Sequence, residues 1–275
     1  MKMIAWQKQI RDRRARENAD ADLFGQWWAG IDKSIEAADV RPIDIPTARS
    51  VILDYEWLGT MPAVLWHCFG IYFQGHLGGV VCYGPEYSEN LGVWDKYEFT
   101  GKLILLSRGA CVHWAPQHSA SALIRRSMRL LPGKYEVVTA TVDAEAGEVG
   151  TIYQACGFFY VGQMAKNNAR QPRKALMLPG GQIVPERRAR QQFGSVKQAC
   201  EAIPGASRVF LEYKERYFAF RGSRGARRNN YARIAHLIAA FPKRAARPDD
   251  ESLPSDVSQV RPLGAAPNFS VEGDI

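Results

Sequence analysis

The spacing of apolar residues divides the chain into a helical beginning, a middle part of alternating strands and helices, and a basic later part. In the beginning, Ile10, the Trp27–Trp28 pair and Ile31 recur at roughly helical intervals until the PIDIP sequence at 42–46 interrupts them. This pattern predicts a helical N-terminal extension over residues 1–40.

The middle part contains short apolar runs separated by turn residues, which is the pattern of strands. The runs predict strands at 48–57, 64–73, 77–84, 102–112, 135–143 and 158–164, with the second and third joined as a hairpin. Residues 119–133 have helical periodicity with Ser119 as the predicted N-cap, and a short helix is predicted to end near Cys156. Strands alternating with helices predict an α/β or α+β fold, in which helices cover a mixed central sheet.

The later part differs in charge. Residues 166–247 contain nineteen Lys and Arg against four acidic residues, and the pattern within them predicts a hairpin at 208–220 and a helix at 229–241. Residues 248–275 contain six acidic residues and one Arg and lack periodicity, so they predict a disordered acidic tail. The predicted organisation is an N-terminal extension, a central domain at 41–165, a basic region and this tail.

Composition narrows the class of protein. Hydrophobic residues make up 46% and charged residues 23% of the 275 positions, which is enough for a sizeable core. No apolar run is long enough to cross a bilayer, and the basic N-terminus leads into polar sequence, so we expect a cytoplasmic protein without a membrane partner. The five cysteines are far apart and form no CxxC pair, which favours free buried thiols over disulfides or a zinc site.

The basic region predicts a polyanion as partner, first of all double-stranded DNA. Aromatic residues alternate with Arg and Lys in RVFLEYKERYFAFRGSRGARRNNYAR at 208–233, a composition typical of nucleic-acid surfaces. The simpler alternative is a solvated basic face. The residues predicted to contact DNA are Arg187, Arg188, Arg190, Lys214, Arg216, Arg221, Arg224, Arg227 and Arg228.

The order of elements around TVDAEAGEVGTIYQACGFFYVG, residues 141–162, resembles the second half of the GNAT acyltransferase fold. The resemblance implies that 41–165 is a GNAT-like catalytic domain with a splayed central sheet. An acyl-coenzyme A would enter the gap between two strands, with its pyrophosphate on the amides that open the next helix. The Gly-rich phosphate loop of that superfamily is replaced here by PQHSASA at 116–122. The residues predicted to bind this donor are Ser107, Arg108, His118, Ser119 and Ser121; a solvent salt bridge is the alternative for Arg108.

A closer resemblance is to the Mom DNA-modification proteins of bacteriophage Mu and its relatives. The stretches that carry it are LDYEW (53–57), GIYF (70–73), LSRGACVHWAPQHSAS (106–121) and residues 141–162. It implies an enzyme that converts adenine in DNA to N6-carbamoylmethyladenine, which protects the DNA from restriction enzymes. The resemblance also associates two cofactors with the chain: acetyl-coenzyme A or a related acyl or aminoacyl donor, and an iron ion.

The same resemblance places Tyr55, Tyr72, Asp143 and Tyr153 at functional positions. Adenine N6 is a weak nucleophile because its lone pair is delocalised into the ring, so a base such as Asp143 has to take its proton. Tyr153 would protonate a leaving group or steady an oxyanion. Tyr55 together with Asp54 or Glu56 would hold a hard metal ion, with Asp143 as a further candidate ligand, or Tyr55 would stack on an extruded base.

Three of these four residues have a structural alternative. Asp143 can cap the helix that follows it, and Tyr72 and Tyr153 can be core residues with satisfied hydroxyl groups. Two other functions also stay open at this point. One is a GNAT acetyltransferase acting on a small amine, tRNA or protein, and the other is a GNAT-derived module that binds nucleic acid without catalysis. A homodimer is compatible with the sequence.

Overall fold

The computed structural model describes residues 6–21, 27–87, 92–144, 147–163, 173–179, 183–211 and 214–242, so the predicted tail at 248–275 lies outside the described residues. The helices are α1 (Trp6–Ala21), α2 (Ile45–Tyr55), α3 (Ser119–Leu130), α4 (Thr151–Ala155), α5 (Glu186–Phe193), α6 (Val196–Ala202) and α7 (Arg224–Ile234). The strands are β1 (Asp39–Pro42), β2 (His67–Phe73), β3 (His76–Gly84), β4 (Leu103–Cys111), β5 (Val137–Val142), β6 (Phe159–Gln163), β7 (Arg173–Met177), β8 (Ile183–Pro185), β9 (Ser207–Leu211) and β10 (Glu215–Phe220). Short 3-10 turns occupy Trp27–Gly30, Asp95–Tyr97 and Ala235–Leu237.

Seven strands form the main sheet, in the order β1-β2-β3-β4-β5-β10-β6, and a smaller sheet has the order β8-β7-β9. Strands β4 and β5 run parallel, and α3 is the crossover that joins them. The other described strand pairs are antiparallel. The predicted mixed central sheet flanked by helices is therefore confirmed.

The main sheet opens between β4 and β5. Pairing of the two strands ends at Leu106 and Ala140, whereas β4 continues to Cys111 alongside β3. At this point one extra residue of β4, Ser107, interrupts the register with β3, as in a β-bulge. The splay that the GNAT resemblance implies is thus present, and it exposes the backbone edge of β4 beyond Leu106 to whatever enters the gap.

Two hydrophobic layers hold the main sheet. Val138 and Ala140 of β5 belong to the layer that includes α2 and α3, whereas Val137 belongs to a second layer with Trp94 and Phe218. This alternation follows from the period of two in a strand. Each large apolar side chain that is fully buried contributes about 1.5–3 kcal/mol to the stability of the fold. The two layers therefore hold β5 and β10 firmly in the sheet.

The basic region contains a small α/β unit that the apolar pattern did not predict. Helices α5 and α6 contact the sheet of β7, β8 and β9, and their shared core contains Leu176, Val184, Ala189, Val196 and Ala199. These strands have three to five residues, which is too short for a clear period.

The predicted strand at 48–57 is wrong, because α2 occupies this segment. Asp44 caps the helix by accepting a hydrogen bond of 2.8 Å from the Thr47 N–H. Val51 and Ile52 are buried on its inner face. Their burial in the core outweighs the strand preference of β-branched residues.

Two predicted helix features also need correction. Ser119 is not the N-cap of α3, since His118 occupies that position with a left-handed φ of 70° and makes no side-chain cap bond. Ser119 Oγ instead donates to the Pro116 carbonyl at 2.7 Å. The helical pattern predicted near residues 27–35 is realised only as the 3-10 turn Trp27–Gly30, while α1 confirms a helix earlier in the extension.

The hairpin predicted at 208–220 is wrong as a pairing. Both strands form, but β9 joins the smaller sheet and β10 lies between β5 and β6 in the main sheet. The predicted boundary at residue 165 consequently does not follow the main sheet, which takes in residues 215–220. Helix α7 begins at Arg224 after the cap residue Ser223, earlier than the predicted 229. Within the described residues, no helix combines the length and the apolarity needed to cross a bilayer.

Candidate active site

Charged side chains from different parts of the chain meet at the open end of the β4–β5 gap. Glu56 follows α2, Asp143 follows β5 and Glu148 precedes α4; we refer to these three residues as the carboxylate cluster. Lys214 Nζ lies 4.0 Å from Asp143 Oδ2, and Arg108 Nε lies 3.9 Å from Glu56 Oε2. Asp143 and Glu56 are buried, with 4% and 9% of their surface exposed. Three carboxyl groups and two cations thus share one poorly hydrated space.

Strand register explains why these residues meet. Strands β10 and β5 are antiparallel, and Glu215, the first residue of β10, is opposite the last residue of β5. The residues just beyond, Asp143 and Lys214, therefore lie side by side. Arg108 stands on β4 just past the splay, where its Nε donates to the Thr60 carbonyl at 2.9 Å. This bond holds the loop after α2 against β4.

Glu148 is the member of the cluster whose protonation is altered most. Burial raises the pKa of Glu148 to about 7, and the charges of Glu56 and Asp143 raise it as well, while the Asp143 N–H and Lys214 oppose the shift. Burial also raises the pKa of Glu56, against the effect of Arg108. A carboxyl group that titrates near neutral pH is suited to accept a proton during a reaction and to release it afterwards.

Tyr153 reaches the same end of the sheet from α4. This helix begins after Gly150, which has a left-handed φ of +63° and where a Cβ atom would lie 2.4 Å from the Tyr217 ring. The Tyr153 ring packs against Phe158 and Tyr217, with centroid distances of 5.3 and 5.6 Å. Burial raises the pKa of Tyr153, and the charge of Glu148 raises it further, so the phenol keeps its proton at neutral pH. Among the described residues the Tyr153 hydroxyl has no hydrogen-bond partner, so the structure offers it as a donor to a substrate.

Tyr55 lies beside His113 rather than in the carboxylate cluster. Its hydroxyl shares a hydrogen bond of 2.8 Å with His113 Nδ1, and the two rings stack with their centroids 6.0 Å apart. Burial raises the pKa of Tyr55 and lowers the pKa of His113, so both groups are neutral at pH 7. Trp28 packs edge-on against His113 at 5.1 Å. These contacts describe an aromatic wall next to the loop between β4 and α3.

The predicted metal ligands do not fit a resident iron ion. Tyr55 is hydrogen-bonded to His113 and its raised pKa disfavours the phenolate that a hard cation would bind, while Asp143 faces Lys214. In the part of the chain that the structure describes, no group of three or more His, Cys, Asp or Glu side chains is spaced to hold a metal ion. Iron therefore finds no support in these side chains.

Tyr72 lies near the end of β2, two strands from β4 in the main sheet. Its ring lies under the Arg41 guanidinium at 4.0 Å, as a cation–π pair. Among the described residues, no hydrogen bond or ion pair joins Tyr72 to the carboxylate cluster. A catalytic role for Tyr72 therefore stays a prediction.

The residues predicted to bind the donor divide into two groups. Ser107 Oγ donates to the Cys82 carbonyl at 3.1 Å, and Arg108 is held by Thr60 and by the Ser107 carbonyl, so both stabilise the splay. His118, Ser119 and Ser121 surround the start of α3. Here the Ser121 hydroxyl donates to the His118 carbonyl at 2.9 Å.

Helix α4 lies against this start of α3, since the Cys156 thiol is 3.6 Å from the Ser121 carbonyl. The helix that carries Tyr153 and the predicted phosphate-binding turn are therefore neighbours. The first N–H groups of α3 have no partner within the helix, which makes this end attractive to an anion. A donor role for these residues stays a prediction with a geometry that suits it.

Two of the residues predicted to contact DNA serve the protein interior. Arg216 Nη1 lies 3.2 Å from Glu86 Oε1, and both side chains are largely buried. Arg221 donates to the carbonyl groups of Leu131, Pro132 and Tyr135, where α3 ends and β5 approaches. The guanidinium groups of Arg216 and Arg221 are thus committed to structural contacts. Lys214, a third predicted DNA contact, belongs to the candidate active site instead.

The remaining predicted DNA contacts lie on two helices. Arg224, Arg227 and Arg228 are exposed on α7, and Tyr231, one turn later, is 40% exposed. On α5, Arg188 is partly buried and Arg190 is exposed, whereas nothing is described of the Arg187 side chain.

An open cavity of about 540 Å³ occurs at the opposite end of the main sheet, where β4 and β5 begin. Its lining includes Trp66, His67, Lys134 and Tyr135, and Trp66 stacks on Tyr135 with a centroid distance of 6.0 Å. None of the predicted site residues lines it.

Sequence reasoning missed Glu148 as a site residue and did not place Lys214 beside Asp143. Glu148 stands in a loop five residues after Asp143, so neither helical nor strand periodicity marks it. The useful signal was present in EAGEVGT at 145–151, where an acidic residue precedes the glycine that starts a helix.

The mixed sheet splays after its parallel strand pair, with carboxyl groups and a phenol at the split, and this agrees with the fold that the GNAT resemblance of the sequence implies. The chain belongs to the Mom protein family, whose model matches residues 37–225, more than half of the sequence. A search of curated proteins found no match.

The solved structures that are similar to this chain include two acetyltransferases and an N-acyl amino acid synthase. An IAA acetyltransferase from Bacillus cereus is 11% identical, covers 67% of this chain and 100% of its own, and has a TM-score of 0.37. FeeM, an N-acyl amino acid synthase from uncultured soil microbes, is 12% identical over 66% of this chain and 90% of its own, with a TM-score of 0.38. A Bacillus subtilis acetyltransferase in complex with CoA is 7% identical over 67% and 98%, with a TM-score of 0.34.

Proposed function

We propose that this chain is a Mom-type DNA-modification enzyme that converts adenine in duplex DNA to N6-carbamoylmethyladenine. The observation that carries the proposal is the family match over 37–225, because this range contains the whole carboxylate cluster together with Arg108, Tyr153 and Lys214. The site supplies the two functions that such a reaction requires, a proton acceptor and a proton donor.

The chemistry at N6 follows from the poor nucleophilicity of the amino group. A bond forms between N6 and the methylene carbon of a carbamoylmethyl group, while the bond between that methylene carbon and its carrier breaks and the carrier takes the electron pair. One N6 proton passes to a carboxylate of the cluster, and the carrier receives a proton from the Tyr153 hydroxyl. The buried setting strengthens both transfers, because water does not compete for these groups.

The carrier we propose is coenzyme A or a related acyl or aminoacyl carrier. Transfer of an acetyl group itself would give N6-acetyladenine, so the group transferred has to be a carbamoylmethyl group bound to the carrier through its methylene carbon. Beyond Leu106 the edge of β4 no longer pairs with β5, so its backbone groups can bind the amide-containing arm of such a carrier, in the way an added strand would. Its phosphates would meet the first N–H groups of α3. His118, with its left-handed backbone, starts that turn.

For DNA we propose a docking surface on α7. Arg224, Arg227, Arg228 and Tyr231 recur along the exposed part of this helix, and such spacing suits phosphate contacts with one aromatic side chain among them. Arg188 and Arg190 of α5 are the further candidates, and Arg216 and Arg221 are left out because their guanidinium groups are bound within the protein. The target adenine has to leave the stack to reach the buried cluster.

The test is mass analysis of nucleosides from plasmid DNA of a bacterial host that expresses the full chain. We expect deoxyadenosine with a carbamoylmethyl-sized increment, together with resistance of that DNA to restriction enzymes. Glu36→Gln, at an exposed residue outside the cluster, is the matched control for expression and folding. Unmodified DNA from cells with soluble, folded protein would contradict the proposal. An acetyl-sized increment on a small amine, tRNA or protein would support the acetyltransferase alternative instead.

A further inference from the structure

We infer that Glu148, rather than Asp143, is the group that accepts the N6 proton, and that its protonation in turn prepares Tyr153 to give its proton to the leaving carrier. The inference rests on the proposed function and names the acid–base pair of that same site. Its support is the difference between the surroundings of the two carboxyl groups.

Asp143 has a cation as its neighbour and little contact with solvent. Its Oδ2 lies 4.0 Å from Lys214 Nζ, and 5% of its side chain is exposed. The Lys214 ammonium group thus offsets the negative charge of this carboxylate. Asp143 is thereby suited to hold Lys214 and the start of the loop that carries Glu148.

Glu148 has a different set of partners. Its Oε2 accepts the Asp143 N–H at 3.5 Å, which is the long limit of a hydrogen bond. Among the described residues it forms no salt bridge within 4.0 Å. A partly buried carboxyl group with so little compensation takes up a proton readily.

The charged groups that face Glu148 come from every neighbouring element. Glu56 after α2 and Asp143 after β5 are negative, while Lys214 before β10 is positive, and Tyr153 on α4 is neutral. Two negative neighbours against one positive neighbour oppose the ionised form of Glu148. This arrangement agrees with the direction in which burial shifts the pKa of Glu148, to about 7.

Glu148 and Tyr153 act on each other. The negative charge of Glu148 raises the pKa of the Tyr153 phenol, after burial as the main cause. When Glu148 takes the N6 proton, that charge disappears, and Tyr153 can release its own proton at a lower free-energy cost. Base and acid are thus coupled: proton uptake from adenine makes proton delivery to the carrier easier. The pair returns to its starting state when the Glu148 proton passes back to Tyr153, directly or through water.

The experiment measures DNA modification by the purified full-length chain as a function of pH, from about 5.5 to about 9. Plasmid DNA is the acceptor, and the small-molecule filtrate of a host lysate is the donor source. We expect the wild-type rate to rise with pH through an inflection near neutrality. In Glu148→Gln the rate should fall on the order of 100-fold, and the inflection should be lost. Asp143→Asn should keep the inflection at whatever rate remains.

A second readout does not depend on turnover. Infrared difference spectra should show a protonated carboxyl band that titrates near neutrality in the wild-type chain and in Asp143→Asn, and that is missing in Glu148→Gln. Urea unfolding checks that each variant is folded. If Glu148→Gln keeps the rate and the inflection, or if the band persists in it, the assignment to Glu148 is overturned and the proposed function stands. If the wild-type chain itself modifies no adenine, the proposed function is overturned, and the inference with it.

Discussion

Two buried acidic sites among the described residues differ in how many cations lie near their carboxyl groups. In the first, Glu86 is 4% exposed, pairs with Arg216 at 3.2 Å and accepts a hydrogen bond of 2.5 Å from Thr139 Oγ1. In the second, the carboxylate cluster places three carboxyl groups near one another, with its nearest cations at 3.9 and 4.0 Å. The first site has one described cation for its carboxyl group and is compensated, whereas the second has two described cations for three carboxyl groups and is left partly uncompensated.

We interpret this difference as a structural role for the Glu86 site and a chemical role for the carboxylate cluster. The Glu86 site links the end of β3 to β5 and β10, so its charges serve to align strands, and Arg216 also lies over the Trp94 ring at 5.7 Å. The carboxylate cluster keeps charges whose mutual repulsion costs stability, which folding alone would not favour. A costly arrangement at the open end of a splayed sheet is what an acid–base site requires.

The largest effect should come from breaking the compensated site. Arg216→Met removes the described ion-pair partner of the buried Glu86 carboxylate, so we expect the free energy of unfolding to fall by about 3 kcal/mol. Urea unfolding of the purified chain measures it. The double variant with Glu86→Gln is the control, because removing both charges should restore most of the loss; a double variant as unstable as the single one would show that the pair is not the cause.

The stability of the carboxylate cluster should depend on pH through Glu148. The folded pKa of Glu148, about 7, lies above its ordinary value of 4.5, so the folded chain binds the extra proton between these pH values. This group therefore costs no stability below about pH 4.5 and costs progressively more as pH rises to 7.

We accordingly expect Glu148→Gln to gain roughly 2 kcal/mol relative to wild type between about pH 4.5 and about pH 7, after allowance for partial exposure. Thermal unfolding at a series of pH values measures this difference, with Glu36→Gln, at an exposed carboxyl group, as the matched control. A constant difference between Glu148→Gln and wild type over this range would contradict the raised pKa.

Lys214 should tune the same group. Lys214→Met removes the cation that lowers the pKa of Glu148, so we expect that pKa to rise above its wild-type value of about 7. The free energy of unfolding of Lys214→Met should differ from that of the wild type by about 1 kcal/mol, because Lys214 Nζ lies 4.0 Å from Asp143 Oδ2 and the Lys214 side chain is one-third exposed. Infrared titration of the carboxyl band gives the shift directly, and a downward shift would exclude the proposed geometry.

The smallest effect on stability should come from Tyr153→Phe. The hydroxyl has no partner among the described residues, and the ring contacts with Phe158 and Tyr217 persist, so the free energy of unfolding should change by less than about 0.5 kcal/mol. DNA modification should nevertheless fall strongly. A loss of stability of several kcal/mol would instead assign the hydroxyl to the core.

The spacing of apolar residues was sufficient to predict most strands of the main sheet. The strands β2, β4, β5 and β6 fall within their predicted runs, and β3 begins one residue before its run, because each run is apolar, short and bounded by glycine or polar residues. It failed at 45–55, where an Asp44 cap and burial against the sheet turn β-branched residues into a helix. It also failed for β10, since the choice between pairing with β9 and pairing with β5 depends on distant parts of the chain.

The candidate site was predictable only in part. Asp143 and Tyr153 were found because they flank a turn next to a strand end, and the structure brings both to the open end of the gap. Glu148 and Lys214 were not assigned to the site, because their roles arise from register and burial rather than from residue type. Arg221 shows the converse: its charge suggested DNA, but tertiary folding gives it three backbone carbonyl groups to bind.

One paired measurement tests the central claim, that the partly uncompensated cluster performs the chemistry and the compensated site holds the sheet. It is the fraction of modified deoxyadenosine in DNA from cells expressing Glu148→Gln or Glu86→Gln, normalised to folded protein. We predict almost no modified adenine with Glu148→Gln, and modification within about threefold of wild type with Glu86→Gln. Full modification with Glu148→Gln, or loss only with Glu86→Gln, would contradict the account.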